Sequence, residues 1–488
     1  MADPLKDKVL SGLVWRGLER FGTQAIQFAI SIILARLLAP SDFGTVAIIM
    51  VFIALADVFV DSGFGAALIQ KKDADARDFN SVFFLNLTVS VTLYSMLFLS
   101  APMIAQFYSE PLLVNLLRLS AVCLILGALN CTQYALLTRK MDFKRTFQIS
   151  LISTVVYGTV GIGMAYGGYG IWSLVFSRLA SQIAATVALW SLVEWRPALI
   201  FSLLSIRGLF GFGSKLLCTS LIGTIFGNLY TVIIGKLFNI ELLGHYSRGQ
   251  SVPGMLMDTV QSTLSSVMFP AYAACQSDPE RIKGIMRRTI QTSCLLVFPM
   301  MVGLAAISDS FVRVVLTDKW IPCVFFLQLA CFSFAFFPIH VANLQVLNAL
   351  GRSDLYLWLE VLKKSLLIAS VLATYRAGIY SMVIAGALLS PVYVLLNGWP
   401  NRRLIDYSPL QQCIDVLPIA ALSLLMGTCV FWISHFTALD IFGLSTQVVL
   451  GIIVYVVGVI VFRLECAEYA WPILHRFLRG KWDTLSVP

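Results

Sequence analysis

Polar and charged side chains recur at helical spacing inside a long apolar stretch near the start of the chain. They are three or four residues apart, so they fall within one wedge of a helix that turns by about 100° per residue. Arginine can hold a phosphate by bidentate charged hydrogen bonds, and amide groups suit the hydroxyls of sugars. The pattern predicts an anion-binding stripe that continues as a neutral polar one, formed by Arg16, Arg20, Gln24 and Gln27.

A matching stretch in the second half of the chain carries a neutral stripe that includes Thr224 and Asn228, with Lys215 as its nearest cation. The apolar stretch after it carries Arg248. Charged side chains in membrane helices normally face the bundle interior or water, so these stripes predict a cavity. Arg16 and Arg248 have an alternative interpretation as interfacial anchors. The predicted substrate-binding residues are Arg16, Arg20, Gln24, Gln27, Lys215, Thr224, Asn228 and Arg248.

Three acidic residues also lie in apolar stretches: Asp57 and Asp61 are one turn apart in the second stretch, and Asp258 is in the same stretch as Arg248. They could bind a coupling proton or sodium ion, or they could pair with arginine. No metal or other cofactor is expected, because the four histidines are scattered and the ten cysteines show no CxxC spacing. No phosphate-cradling loop is present either.

The elements that must position these residues are membrane helices. Of the 488 residues 58% are hydrophobic and 12% are charged, against about 25% charged in soluble domains. A spanning helix needs about 20 apolar residues, whereas a membrane barrel shows short alternating segments. The sequence predicts an all-α polytopic membrane protein with about fourteen spans, at 14–38, 44–69, 82–107, 111–138, 146–166, 171–193, 209–238, 242–269, 289–316, 321–349, 355–375, 379–397, 416–434 and 446–462.

Basic residues accumulate in every second connection between these stretches. With Lys363 and Lys364 counted beside Arg352, these connections and the N-terminus with the first turns of the first stretch hold 27 of the 35 Lys and Arg residues, against five in the other connections. Cytoplasmic loops carry this excess, so both termini are predicted to face the cytoplasm. The polar start leads into an apolar stretch too long for a signal peptide, so the first helix should remain. The net charge of +9 therefore reflects topology and gives no support to a nucleic-acid partner.

The chain repeats itself in order. "ILARLLAPSDFG" (33–44) corresponds to "IIGKLFNIELLG" (233–244), "QYALLTRKMDF" (133–143) to "QVLNALGRSDL" (345–355), and "GIWSLV" (170–175) to "GIYSMV" (378–383). The order predicts two parallel six-helix lobes, an arrangement found in transporters with the substrate site between the halves. We assign 1–200 to the N-terminal lobe, 201–405 to the C-terminal lobe, and 406–488 to two extra helices and a cytoplasmic tail.

Four phrases of the sequence carry a resemblance to a known family. They are the "ILARLLAPSDFG" turn, "FVDSGFGAALIQ" (59–70), "FPAY" (269–272) and the basic "DPERIKGIMRR" (278–288). With the two lobes, they resemble the Wzx-type (WzxC-like) and teichuronic-acid polysaccharide exporters of the multidrug/oligosaccharidyl-lipid/polysaccharide superfamily. The similarity extends over nearly the whole chain but is one of pattern, without a catalytic motif.

This resemblance implies a V-shaped flippase in a bacterial inner membrane. It would move undecaprenyl-pyrophosphate-linked oligosaccharide units to the outer leaflet by alternating access, for surface polysaccharide synthesis. Implied partners are the bilayer, the lipid-linked oligosaccharide, and a polysaccharide polymerase with its chain-length regulator. The activity would be transport and not enzymatic.

Three alternatives remain open. A cation-coupled multidrug antiporter would share the fold but should favour acidic and aromatic linings. A membrane polysaccharide polymerase or ligase usually has a large external loop, and the external connections here are short. A scaffold or channel role is made less favourable by the two-lobe repeat.

The charge distribution generates a topological prediction. In a protein whose native cysteines have been replaced, a cysteine introduced into the turn at 167–170 should react with an impermeant thiol reagent added to intact cells, because that turn is predicted to be external. A cysteine near Lys72 should react only after the cells are permeabilised. External labelling near Lys72 would reverse the orientation.

Overall fold

The computed structural model describes residues 22–61 and 75–463, together with Gly65 and Leu68. All regular structure in this part of the chain is helical, and no β-strand occurs within it. The first nine α-helices are α1 Gly22–Leu37, α2 Pro40–Asp61, α3 Ala76–Tyr108, α4 Leu113–Ser120, α5 Val122–Arg139, α6 Phe143–Tyr166, α7 Trp172–Leu192, α8 Leu203–Gly227 and α9 Leu229–Leu237.

The later helices follow with short connections. A π-helical turn at Val312–Leu316 and 3-10 turns at Asp318–Trp320 and Tyr375–Ala377 lie between them. They are α10 Ile240–Ala273, α11 Pro279–Ala306, α12 Ser308–Phe311, α13 Cys323–Ala335, α14 Phe337–Ala349, α15 Ser353–Thr374, α16 Ile379–Leu404, α17 Pro409–Ser434 and α18 Ile441–Val461.

As far as the described residues extend, each of the fourteen predicted stretches coincides with one helix or with consecutive helices. Eleven candidate spans in the described part are long and apolar enough to cross a membrane, and the shorter α1 is apolar as well. The all-α polytopic fold class is confirmed, and a count of fourteen is compatible with these bounds. Local breaks divide four of the predicted stretches, for example at Asn228 and Phe336, which the apolar pattern alone does not reveal.

The chain forms two compact units, Met1–Ser247 and Arg248–Pro488. The boundary between these units falls inside α10. It therefore differs from the boundary between lobes that the sequence repeat predicts near residue 200. The division at 200, derived from the repeat, remains a prediction about how the lobes correspond to each other.

Within the first unit, the beginnings of α2 and α10 touch at two glycines. A Cβ atom on Gly44 would overlap the carbonyl oxygen of Ile240, and one on Gly244 would overlap that of Pro40. The two contacts follow the repeat, since each glycine meets the residue that begins the helix in the other half. Only glycine allows backbones to approach this closely, as small residues do generally between membrane helices.

In the second unit, a buried amide cluster joins α14, α16 and α17. The side chains of Asn343 and Gln412 exchange hydrogen bonds of 2.8 and 3.1 Å, and Asn401 Nδ2 donates to Asn343 Oδ1 at 2.7 Å. All three residues are fully buried. Burying amides is costly unless they are hydrogen-bonded, so this cluster specifies how α17 packs on its neighbours.

The turn between α6 and α7 identifies the best position for the labelling experiment. Gly168 and Gly170 have φ values of +78° and +53°, a region that strains other residues. Tyr169 lies between them and is 61% exposed. A cysteine at position 169 should therefore report accessibility without disturbing the turn.

The glycine contact generates a stability prediction. Gly44→Ala or Gly244→Ala should lower the stability of the purified protein by about 1–3 kcal/mol, because neither backbone can yield without moving a helix. Gly163→Ala is the matched control, since no atom lies within 4 Å of the added methyl group in α6. Thermal unfolding in detergent measures the difference. Equal melting of Gly44→Ala and Gly163→Ala would contradict the close contact.

Candidate functional site

The stripe of the first helix is described from residue 22 onward. Gln24 is half-buried, and Gln27 is exposed, with its Nε2 atom 3.5 Å from the Thr154 hydroxyl of α6. α1 packs tightly on α6, where a Cβ on Gly158 would lie 2.5 Å from Ile30. The predicted residues Arg16 and Arg20 lie outside the described residues.

The corresponding stripe of the second half lies at a break between α8 and α9. Thr224 and Asn228 are both half-buried, and Asn228 Nδ2 donates to the Thr224 carbonyl oxygen at 2.9 Å. Asn228 has φ −100° and ψ 4°, which separates the two helices. Asparagine favours such local side-chain hydrogen bonds over helical ones. Lys215 belongs to α8, but its side chain lies outside the described part.

Arg248 lies inside the second unit instead of on an exposed face. It is 6% exposed, and its guanidinium carbon is 6.0 Å from the ring centroid of Trp320, which is fully buried. A cation at the face of an indole ring is held by the ring quadrupole. In this structure Arg248 is therefore engaged in packing, and its role in substrate binding remains a prediction.

The three candidate ion-coupling residues have different surroundings. Asp57 is half-buried in α2, and both it and Arg178 act electrostatically on the thiol of Cys123. Asp258 is exposed on α10. Asp61 ends α2, and its side chain lies outside the described part. Both alternatives for these residues, binding of a coupling ion and pairing with arginine, remain predictions.

The predicted residues are thus distributed over both compact units. Gln24, Gln27, Thr224 and Asn228 belong to the first, and their hydrogen bonds given above stay within their own helix or reach a neighbouring one. Arg248 and Asp258 belong to the second. Their assembly into one substrate path remains a prediction.

A polar cavity of about 550 Å³ lies beside the beginning of α2 and the end of α9, within the first unit. Asp42, Glu110 and Lys236 are among its lining residues. The Lys236 ammonium donates to the Phe107 carbonyl oxygen and lies 4.3 Å from the centroid of the Phe107 ring. These contacts hold Lys236 at the end of its helix, as expected of an interfacial anchor.

A polar cluster within the second unit was not predicted from the sequence. The charge pattern had placed Lys363 in a connection between helices, whereas it lies within α15. Lys363 is 9% exposed within α15, and its Nζ is 2.5 Å from Glu360 Oε1. Its carbonyl oxygen accepts from the Tyr393 hydroxyl at 3.1 Å, and the neighbouring Asn397 amide is 3.4 Å from His340 Nδ1. The sequence feature that could have indicated this pair is the spacing of Glu360 and Lys363, since residues three apart are neighbours on a helix.

Several cations of the connections are held by carboxylates. Arg313 contacts Asp309 at 2.9 Å and Asp318 at 3.3 Å. Arg352 hydrogen-bonds to Asp354, and these bonds hold the pKa of the Asp354 carboxyl at about 2. Such exposed pairs order the connections but contribute little stability.

The fold defines a class of multi-pass membrane protein. The chain superposes with a TM-score of 0.73 on the lipid II flippase MurJ in an inward closed conformation, covering 92% of this chain and 99% of that one at 15% identity. An inward-facing multidrug resistance MATE transporter of the MOP superfamily gives 0.60, covering 79% and 96% at 16% identity. The fold is that of the multidrug/oligosaccharidyl-lipid/polysaccharide superfamily. The chain belongs to the family of polysaccharide biosynthesis proteins, whose model matches residues 33–325.

Relatives in sequence extend along almost the full length. The teichuronic acid biosynthesis protein TuaB of Bacillus subtilis (strain 168) is 25% identical over 92% of this chain and 94% of its own. The lipopolysaccharide biosynthesis protein WzxC of Escherichia coli (strain K12) is 23% identical over 80% of each chain. The predicted family resemblance is confirmed.

The helix-end cations generate a prediction about export. Arg36 is exposed at the end of α1, and the second half already carries lysine at the equivalent position 236. If both are anchors, Arg36→Lys should leave polysaccharide export within about twofold of wild type, since exposed charge contacts contribute only about 0–1 kcal/mol. A bidentate phosphate clamp would not tolerate lysine. Failure of export at a normal protein level would favour the clamp.

Proposed function

We propose that this protein is a flippase that moves undecaprenyl-pyrophosphate-linked oligosaccharide units across the bacterial cytoplasmic membrane for surface polysaccharide synthesis. The observation that carries the proposal is the match of residues 33–325 to the polysaccharide biosynthesis family. It is supported by a flippase among the solved structures that share the fold. Two relatives in sequence are named for the biosynthesis of teichuronic acid and of lipopolysaccharide.

The polar residues fit the chemistry of this substrate. A pyrophosphate needs cations, an oligosaccharide needs hydrogen-bonding side chains, and a polyprenyl chain can remain in the bilayer. The amides at 24, 27 and 228 and the hydroxyl of Thr224 supply neutral groups, and all four are half-buried or exposed. We assign the pyrophosphate to Arg20, with Arg16 and Lys215 guiding its entry, because the equivalent second-half stripe is neutral.

The coupling ion is part of the same proposal. A proton or a sodium ion would be bound by Asp57, Asp61 or Asp258, and no other cofactor is required. Alternating access to the two sides of the membrane would then follow ion binding and release. The neighbourhood of Asp57 and Arg178 around Cys123 allows an arginine to compete for the same carboxylate.

Orientation, location and partners complete the proposal. Both termini would face the cytoplasm, because the basic connections lie on that side. A polysaccharide polymerase and a chain-length regulator would receive the exported unit. The protein itself would act by transport and not by catalysis.

Two other functions explain fewer observations. A cation-coupled multidrug antiporter has the same fold, but embedded arginines such as Arg178 and Arg248 disfavour cationic drugs. A polysaccharide polymerase or ligase would have to act through a catalytic site, and the candidate residues form no nucleophile and base pair. Accumulation of lipid-linked oligosaccharide in a deletion strain would separate the flippase from the antiporter.

The decisive variants are in the first stripe. Truncating one partner of a buried charged hydrogen bond costs about 2–5 kcal/mol, so Arg20→Ala should weaken substrate binding by well over tenfold. Arg20→Glu should abolish export by repelling the pyrophosphate. Ser220→Ala, at the equivalent position of the second half, should have much less effect, because a neutral hydrogen bond contributes about 1 kcal/mol.

The measurement is complementation of surface-polysaccharide export in a strain that lacks its flippase, with the protein quantified in the membrane. Complementation by Arg20→Glu at a normal level would exclude this stripe as the substrate path. The cation site would then have to be sought around Arg118, Arg178 and Arg248.

A further inference from the structure

A second cavity lies entirely within the second unit, between α11, α17 and the end of α18. Its volume is about 590 Å³, within the range of about 300–1,000 Å³ that is usual for ligand sites. Two arginines, Arg287 and Arg463, line it together with one carboxylate, one amide and a set of apolar side chains. None of these residues belongs to the predicted substrate path.

The lining residues can be ordered by depth, from the membrane surface inward, because the three helices meet at one level at the outer end of the cavity. α11 and α17 begin at the same level, because Arg287 Nη2 is 2.8 Å from Asp415 Oδ1 and Lys283 Nζ is 3.3 Å from Asp406 Oδ2. α18 ends at this level, since the Tyr455 hydroxyl contacts the Leu295 carbonyl oxygen two turns before Arg463.

The chemical character of the lining side chains changes with depth in the cavity. Arg287 and Arg463 lie at the surface end, and the amide of Gln291 lies one turn deeper on α11, where it is only 8% exposed. Further along α17 the lining is apolar, with Leu422 and Leu425. The cavity therefore presents cations, then an amide, then hydrocarbon.

The charge of the cavity favours an anion. Its one carboxylate, Asp415, is already bound by Arg287 and accepts from the buried Tyr407 hydroxyl at 2.7 Å. Arg463 adds a second cation at the rim, where its φ of +45° ends α18. Among the lining residues that the structure describes, two arginines against one aspartate leave a net positive charge beside an apolar slot.

We propose that this cavity is a binding site for an anionic phospholipid of the surrounding leaflet. The phosphate would contact Arg287 and Arg463, a glycerol ester carbonyl would accept from Gln291, and an acyl chain would lie along Leu422 and Leu425. Basic pockets between membrane helices bind anionic headgroups on the cytoplasmic side, where such lipids are enriched. The site is independent of the transported substrate.

The test uses the purified full chain in detergent, titrated separately with phosphatidylglycerol and phosphatidylcholine and analysed by native mass spectrometry. Wild type should bind phosphatidylglycerol about tenfold more tightly, because charged hydrogen bonds to the phosphate are reinforced by net charge. Equal binding of the two lipids would overturn the proposal.

Three variants distinguish lipid binding in the cavity from attraction of the lipid by general surface charge. Arg463→Gln, which leaves the Arg287–Asp415 pair intact, should weaken phosphatidylglycerol binding about fivefold, and Gln291→Leu about threefold. Arg288→Gln removes the same charge from an exposed residue of α11 that does not line the cavity, and it should have no effect. Equal losses in Arg463→Gln and Arg288→Gln would contradict a specific site.

Competition identifies the occupant. Inorganic phosphate at millimolar concentration should leave phosphatidylglycerol bound, because it cannot use the apolar slot. Complete displacement by phosphate would reduce the cavity to an anion site and overturn the proposal. Displacement by undecaprenyl phosphate at lower concentration would assign the cavity to the polyprenyl carrier and would equally overturn the proposal.

Discussion

Hydrocarbon offers no hydrogen-bond partner to the peptide backbone, and this constraint governs the whole chain. Each backbone group inside a bilayer must be satisfied within the protein, so spanning segments are helices or closed barrels. The long apolar segments satisfy this requirement as helices, with short connections between them. Charged residues then concentrate in the connections, where water solvates them, and the few charges left inside the helices need a specific reason.

Polar groups inside the helices fall into two sorts. Some satisfy one another, as do Asn343, Asn401 and Gln412, and the Glu360–Lys363 pair. These groups are buried and specify packing. Others, such as Gln27 and Thr224, remain half-buried or exposed. The substrate proposed here, an oligosaccharide linked to a pyrophosphate, would need groups of the second sort, because side chains that already satisfy each other have little left to offer a ligand.

The internal repeat has a direct structural consequence. Gly44 and Gly244 make equivalent backbone contacts in opposite directions, because the same sequence pattern begins both α2 and α10. The contact involves carbonyl oxygens and glycine, so its separation would leave no buried side chain without a partner.

The sequence by itself determined the membrane class, the helical fold and the family, since apolar length, charge distribution and repetition are local properties that can be read in order. It also placed Gln24, Gln27 and Thr224 on the faces of helices. Only the tertiary structure decided that Arg248 packs on Trp320, that Lys363 is buried instead of lying in a connection, and that Arg287, Gln291 and Arg463 line one cavity. The reason is physical: these contacts join residues far apart in the chain, and helix packing, which sets their distances, depends on all the side chains at once.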